Sequence, residues 1–144
     1  MDLDQLKAAV ESWIFSNSVL IENHSVTENE SFLDINIRPK KNDSSSVSIS
    51  VSKGSFESDI SVGQFTQICN YKLKSIDDVN QVLNSVKSGH VTEIIHKILG
   101  MRAKVEGKLV VNNKTLTDTG YVFPLELLVN VFESNSELVS YKPW

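Results

Sequence analysis

The sequence predicts an α+β fold: an antiparallel meander sheet with helices packed mainly on one face, in a single domain over residues 1–144. Three observations lead there. Apolar residues recur at helical spacing in separate segments near the start, middle and end of the chain. Between these run stretches in which apolar and polar residues alternate, the pattern of strands buried on one face only. The connections between those strands are short and polar, so neighbouring strands must be antiparallel. Helices laid on one face of such a sheet bury every stripe at once.

The first helix is expected over residues 2–16, where Leu3, Leu6, Val10, Trp13 and Ile14 share a face. Asp2 and Asp4 suit the positive end of its dipole. The polar pair Asn17–Ser18 should stop it, because such side chains compete for backbone hydrogen bonds. A short strand then begins at Val19 and Ile21. Leu33, Ile35 and Ile37 alternate with Asp34, Asn36 and Arg38, giving a strand over 31–38 that Pro39 ends. Lys40–Ser45 is a turn. Val47, Ile49 and Val51 alternate with a row of serines, which reads as the solvated face of a strand. Phe56, Ile60 and Val62 stand opposite Glu57, Asp59 and Ser61 in the next strand of the meander.

Residues 64–73 fit either one helical turn around Phe65, Ile68 and Cys69 or a strand through Tyr71 and Leu73. A second helix over 75–88 is marked by Ser75 as N-cap, with Asp78 three residues on, and by Gly89 at its end. Residues 90–99 carry a helical stripe, but their β-branched content and Gly100 favour a strand. In the following strand Met101, Ala103, Val105, Leu109 and Val111 point one way, and Arg102, Lys104, Glu106 and Lys108 the other. Asn112–Asn113 suits a tight hairpin turn, with a short return strand at Leu116. Pro124 opens a third helix with Leu125, Leu128, Val131 and Phe132 on its buried face, and Leu138, Val139 and Tyr141 form a last short strand.

Composition narrows the functional classes. With 40% hydrophobic and 22% charged residues, the 144-residue chain has the balance of an ordinary globular protein. A net charge of −4 argues against a nucleic-acid binder, which must neutralise phosphates with Lys and Arg. The single cysteine, Cys69, forbids an intrachain disulfide and suits a reducing, cytoplasmic setting. No secretion signal and no membrane-spanning run are expected.

No catalytic, metal or phosphate motif stands out. The three histidines are His24, His90 and His96. In a strand Glu93 would point away from His90 and His96, so these do not make a metal site, and one cysteine is too few for structural zinc. A general acid–base role for His96 with Glu57 or Asp59 remains an alternative. Cys69 reads as a small core residue. The glycines form no phosphate loop, and no cofactor is expected. The expectation is therefore a non-enzymatic protein with no catalytic residues.

Charge is unevenly spread: residues 1–40 hold seven acids against three bases, whereas residues 81–144 hold six against seven. Glu22, Glu28, Glu30, Asp34, Glu57 and Asp59 would make one acidic patch if their strands are neighbours. The opening Leu6–Trp13 helix, the strands Phe32–Arg38 and Ser46–Val62 and the helix Ser75–Gly89 together resemble the small acidic immunity proteins of bacterial contact-dependent and other polymorphic toxin systems. That resemblance implies a cytoplasmic, non-catalytic protein that covers the active site of a toxin, often a basic nuclease, and uses those six acids as its partner-binding surface. The runner-up is a secretion chaperone for bacterial effectors, which would dimerise through an apolar helix face. A small acid–base hydrolase comes third.

Overall fold

A computed structural model describes residues 1–122 and 135–144. Helix α1 spans Leu3–Ser16 and begins where the Asp2 carboxylate accepts a hydrogen bond from the Asp4 backbone N–H at 3.1 Å. Its buried face is Leu6, Val10, Trp13 and Ile14, the stripe read from the sequence. It ends at Asn17, whose side-chain amide donates to the Trp13 carbonyl at 2.8 Å. A single 3-10 turn, Ser18–Leu20, leads into strand β1, Ile21–Glu28. This corrects the expected short strand at Val19: Val19 is exposed within the turn, and the strand starts two residues later and runs for eight.

Strands β2 (Phe32–Pro39), β3 (Val47–Ser52), β4 (Glu57–Val62) and β5 (Thr66–Lys72) continue the meander, each antiparallel to its predecessor, in the order β1-β2-β3-β4-β5. Residues 64–73 thus resolve largely as strand. Cys69, expected in the core, is exposed there, while its neighbour Ile68 is buried. Helix α2 spans Ile76–Lys87. The Asp78 carboxylate accepts from the backbone N–H groups of Lys74 and Ser75 at 2.6 and 3.0 Å, as the capping spacing predicts.

The second half of the meander forms a separate sheet. Strands β6 (Val91–Ile98), β7 (Met101–Val111), β8 (Lys114–Tyr121) and β9 (Asn135–Ser140) are ordered β8-β7-β6-β9, again all antiparallel. The α+β class and antiparallel pairing are therefore as the sequence predicts, divided, among the described residues, over two sheets of five and four strands. Residues 90–99 are mainly strand. Met101, opposite the buried Ile98, is itself half exposed next to the turn, and the buried row of β7 is Ala103, Val105, Gly107, Leu109 and Val111. The helix expected from Pro124 lies outside the described residues.

One apolar cluster joins these parts. It takes its members from α1 and α2, from the inner face of the first sheet (Leu33, Ile35, Ile37, Val47, Ile49, Val51, Ile60, Val62, Ile68), and from Val91, Leu109 and Val111 of the second. The inner face of the first sheet is buried with the helices, and its outer face is the polar one. Among the described residues, no helix is long and apolar enough to cross a membrane.

Candidate functional site

The outer face of the first sheet is built from the polar half of each alternating strand. Register places Thr27, Asp34, Ser50 and Asp59 side by side across β1 to β4. Beside them runs a second row, Ser25, Asn36, Ser48, Ser61 and Gln67, across all five strands. Residues of the two rows line a shallow depression of about 490 Å³. Cross-strand hydrogen bonds stiffen it: Ser50 Oγ donates to Asp34 at 2.6 Å, and Ser48 Oγ donates to Asn36 Oδ1 at 2.5 Å. The Asn70 backbone N–H donates to Asp59 at 3.0 Å. Among the described residues, neither Asp34 nor Asp59 pairs with a cation.

The six acids singled out from the sequence divide into groups. Asp34 and Asp59 share this depression, and Glu57 stands on the same face two residues from Asp59, exposed and opposite Lys72. Glu22 is exposed and paired with Arg38 at 3.2 Å. Glu28 lies opposite the core residue Leu33, on the helix side of the sheet, and pairs with Lys53 at 2.6 Å and Lys7 at 4.0 Å. The hydrogen bond and charge of Lys53 hold its carboxyl below the ordinary carboxylate range. Glu30 is exposed between β1 and β2. Paired acids project little field, so long-range attraction from this region falls to Asp34, Asp59, Glu57 and Glu30.

His96 is not brought to Glu57 or Asp59; its carboxylate is Glu106. His96 Nε2 lies 2.9 Å from Glu106 Oε2 on β7, and Ser136 Oγ of β9 lies 3.0 Å from His96 Nδ1. The hydrogen bond from His96, reinforced by Lys104 at 3.3 Å, holds the Glu106 carboxyl below its ordinary value. His90 is exposed and precedes β6, and His24 is exposed on β1. Among the described residues, no group of three His, Cys, Asp or Glu is placed to hold a metal ion.

A third cluster escaped sequence reasoning. Glu93 of β6 is completely buried. Its two oxygens accept from the backbone N–H groups of Gln64 (2.8 Å) and Phe65 (2.9 Å), from Thr66 Oγ1 (2.7 Å) and from the Tyr141 hydroxyl (2.7 Å). Gly63, at φ +62°, brings the β4–β5 turn against it: a Cβ there would lie 2.5 Å from Glu93 Oε1. On the neighbouring strand a Cβ at Gly107 would lie 1.9 Å from Thr66 Oγ1. The sequence signal was a lone acid on the apolar side of a strand, next to a glycine where an inward residue belongs.

No family model, no curated protein and no solved structure matches this chain.

Proposed function

We propose that the chain is a non-catalytic binding protein, an immunity protein that neutralises a toxin by docking the outer face of its first sheet over a basic toxin domain. The observation that carries this reading is the row holding Asp34 and Asp59, two carboxylates fixed on one sheet face with no cation paired to either among the described residues. A rigid face of this kind offers unneutralised charge to steer a basic partner. Serine, threonine and amide groups beside it can hydrogen-bond whatever docks. Occlusion needs no catalytic group, in keeping with a face made of carboxylates, hydroxyls and amides.

The test is recovery of the tagged chain from its native cells with identification of what it holds. The reading expects one tight, basic partner that stops growth when expressed alone and is rescued by this chain. Absence of such a partner overturns it. The pair Asp34→Asn and Asp59→Asn is expected to slow association about tenfold or more at low salt, with a smaller loss at high salt, because screening shortens the reach of surface charge. Unchanged association kinetics would move the interface elsewhere. A secretion chaperone is the second reading, and Phe15 and Val19 favour it: both are about four-fifths exposed, Phe15 in the last turn of α1 and Val19 in the 3-10 turn that follows. That reading requires a stable homodimer, which light scattering on the purified chain decides.

A further inference from the structure

We propose that Ser136 is a reactive hydroxyl, activated by His96 and Glu106 to accept small activated acyl or phosphonyl groups, on the sheet that the binding reading does not use. The observation is one hydrogen-bonded line across three adjacent strands. β-pairing places His96 beside Ser136 of β9 on one side and Lys104 of β7 on the other. Ser136 Oγ lies 3.0 Å from His96 Nδ1, and His96 Nε2 lies 2.9 Å from Glu106 Oε2.

The proton positions follow from donor chemistry. An ionised carboxylate only accepts, so Nε2 carries the ring hydrogen and donates to Glu106. In the neutral ring Nδ1 then holds a lone pair, and the Ser136 hydroxyl donates to it. A nucleophile, a base and a group that orients the base stand in the order that activates a serine. Lys104 Nζ, 3.3 Å from Glu106 Oε1, helps keep the carboxylate ionised. The imidazole is held in place with its side chain only 18% exposed, whereas Ser136 is exposed to reagents.

The step balances as follows. Ser136 Oγ attacks the acyl carbon while its proton passes to His96 Nδ1. The bond to the leaving alkoxide breaks, and the imidazole returns the proton to it. The products are an alcohol and an acyl ester of Ser136. With a fluorophosphonate, Oγ attacks phosphorus, fluoride leaves, and the proton is released to water. Among the described residues, Ser136 lies on an exposed strand with no walls to position a large substrate, so the groups accepted are small and unhindered. The site is an acceptor, modified once, and does not depend on the acidic face.

Among the described residues, the charged groups near His96 are Glu106 and Lys104 from β7, and Lys97 on its own strand, paired at 3.5 Å with Glu137 of β9. Tyr121 of β8 lies beyond Lys104, its ring centroid 5.6 Å from the ammonium. Reaction requires neutral imidazole, so the rate should rise with pH and level off once the ring is neutral.

The experiment treats the folded chain with a small alkyl fluorophosphonate and maps the adduct by mass spectrometry. The expected result is one adduct on Ser136, formed at least about a hundredfold faster than on the exposed Ser31 or Ser46, the scale of general-base assistance. Ser136→Ala should abolish it, and His96→Asn should reduce Ser136 to the rate of the other serines. Because His96→Asn also removes two hydrogen bonds, the pH profile of the unsubstituted chain provides an independent reading. Adducts spread evenly over exposed serines, no adduct at all, or a Ser136 rate that is flat with pH would each overturn the proposal. Asp34→Asn and Asp59→Asn should leave labelling unchanged.

Discussion

Glu93 shows how one residue can fasten two sheets. Burial, the largest influence on its carboxyl, pushes its pKa upward. The hydrogen bonds from Tyr141, Gln64, Thr66 and Phe65 push the other way and together prevail, leaving it below the ordinary carboxylate value. The same contact, added to burial, raises the Tyr141 hydroxyl well above its usual range. Since the folded pKa is depressed, the stabilisation is fully present above the unfolded value of about 4.3 and is lost as pH falls through the folded value. Glu93→Gln should destabilise by about 3 kcal/mol at neutral pH, because the charge is lost and its amide NH2 must face a backbone N–H, of Gln64 or Phe65, that can only donate. Urea unfolding at pH 7 and pH 3.5 checks both points: the difference between wild type and variant should shrink at the lower pH. Sequence reasoning placed Glu93 only on the strand face opposite His90 and His96. It could not see that the turn at 63–66 and Tyr141, 48 residues away, supply the donors.

The two tight hairpin turns of the second sheet make a comparison at the level of elements. Asn112 and Asn113 adopt φ of 48° and 63°, and Leu99 and Gly100 adopt 51° and 77°. Asparagine and glycine tolerate this left-handed region, whereas a leucine carries the Cβ penalty. Leu99 is also 86% exposed, so its side chain returns almost no burial energy. Leu99→Asn should therefore stabilise by about 0.5–1 kcal/mol. A urea midpoint that fails to rise would show that the turn stores no strain. The Asn-Asn turn was legible because its residues fit its geometry; the Leu-Gly turn was legible only through Gly100. Strands β1 and β8 are longer than expected for a related reason. β1 exposes most of its side chains, with Ile21 its one buried residue, and β8 has none buried, so neither shows the full alternation that reveals a half-buried strand.

At the scale of the whole molecule, the sequence displayed the class and, over the described residues, the order of elements, but not the division into two sheets. Alternation reports which side of a strand is buried, not which strands pair, and the break after β5 is set by α2 and by the seating of the β4–β5 turn on Glu93. For the six acids, the sequence made a single patch conditional on their strands being neighbours. Only register decides that Asp34 and Asp59 meet while Glu28 turns toward Lys7. Closure also depends on the far end of the chain. Trp144 is buried, its indole N–H donates to the Ser45 carbonyl at 2.9 Å, and its backbone N–H donates to the Lys87 carbonyl at 2.9 Å. Trp144→Ala should cost about 3 kcal/mol, a figure typical of emptying a buried aromatic site. Thermal unfolding measures it, and a loss below about 1 kcal/mol would mean that this end is not integral to the fold.

The two tryptophans of this chain are Trp13 and Trp144, and they meet edge to face with ring centroids 5.8 Å apart. Trp13 is further held by a 2.8 Å hydrogen bond from its indole N–H to Asn84 of α2. Indoles this close couple their electronic transitions, so the pair adds a contribution to the near-ultraviolet dichroism that is lost when residues 13 and 144 separate. The molecule thus carries a built-in optical gauge of whether its two ends are joined, readable without any label while a partner is added, the pH is lowered or the chain is pulled open.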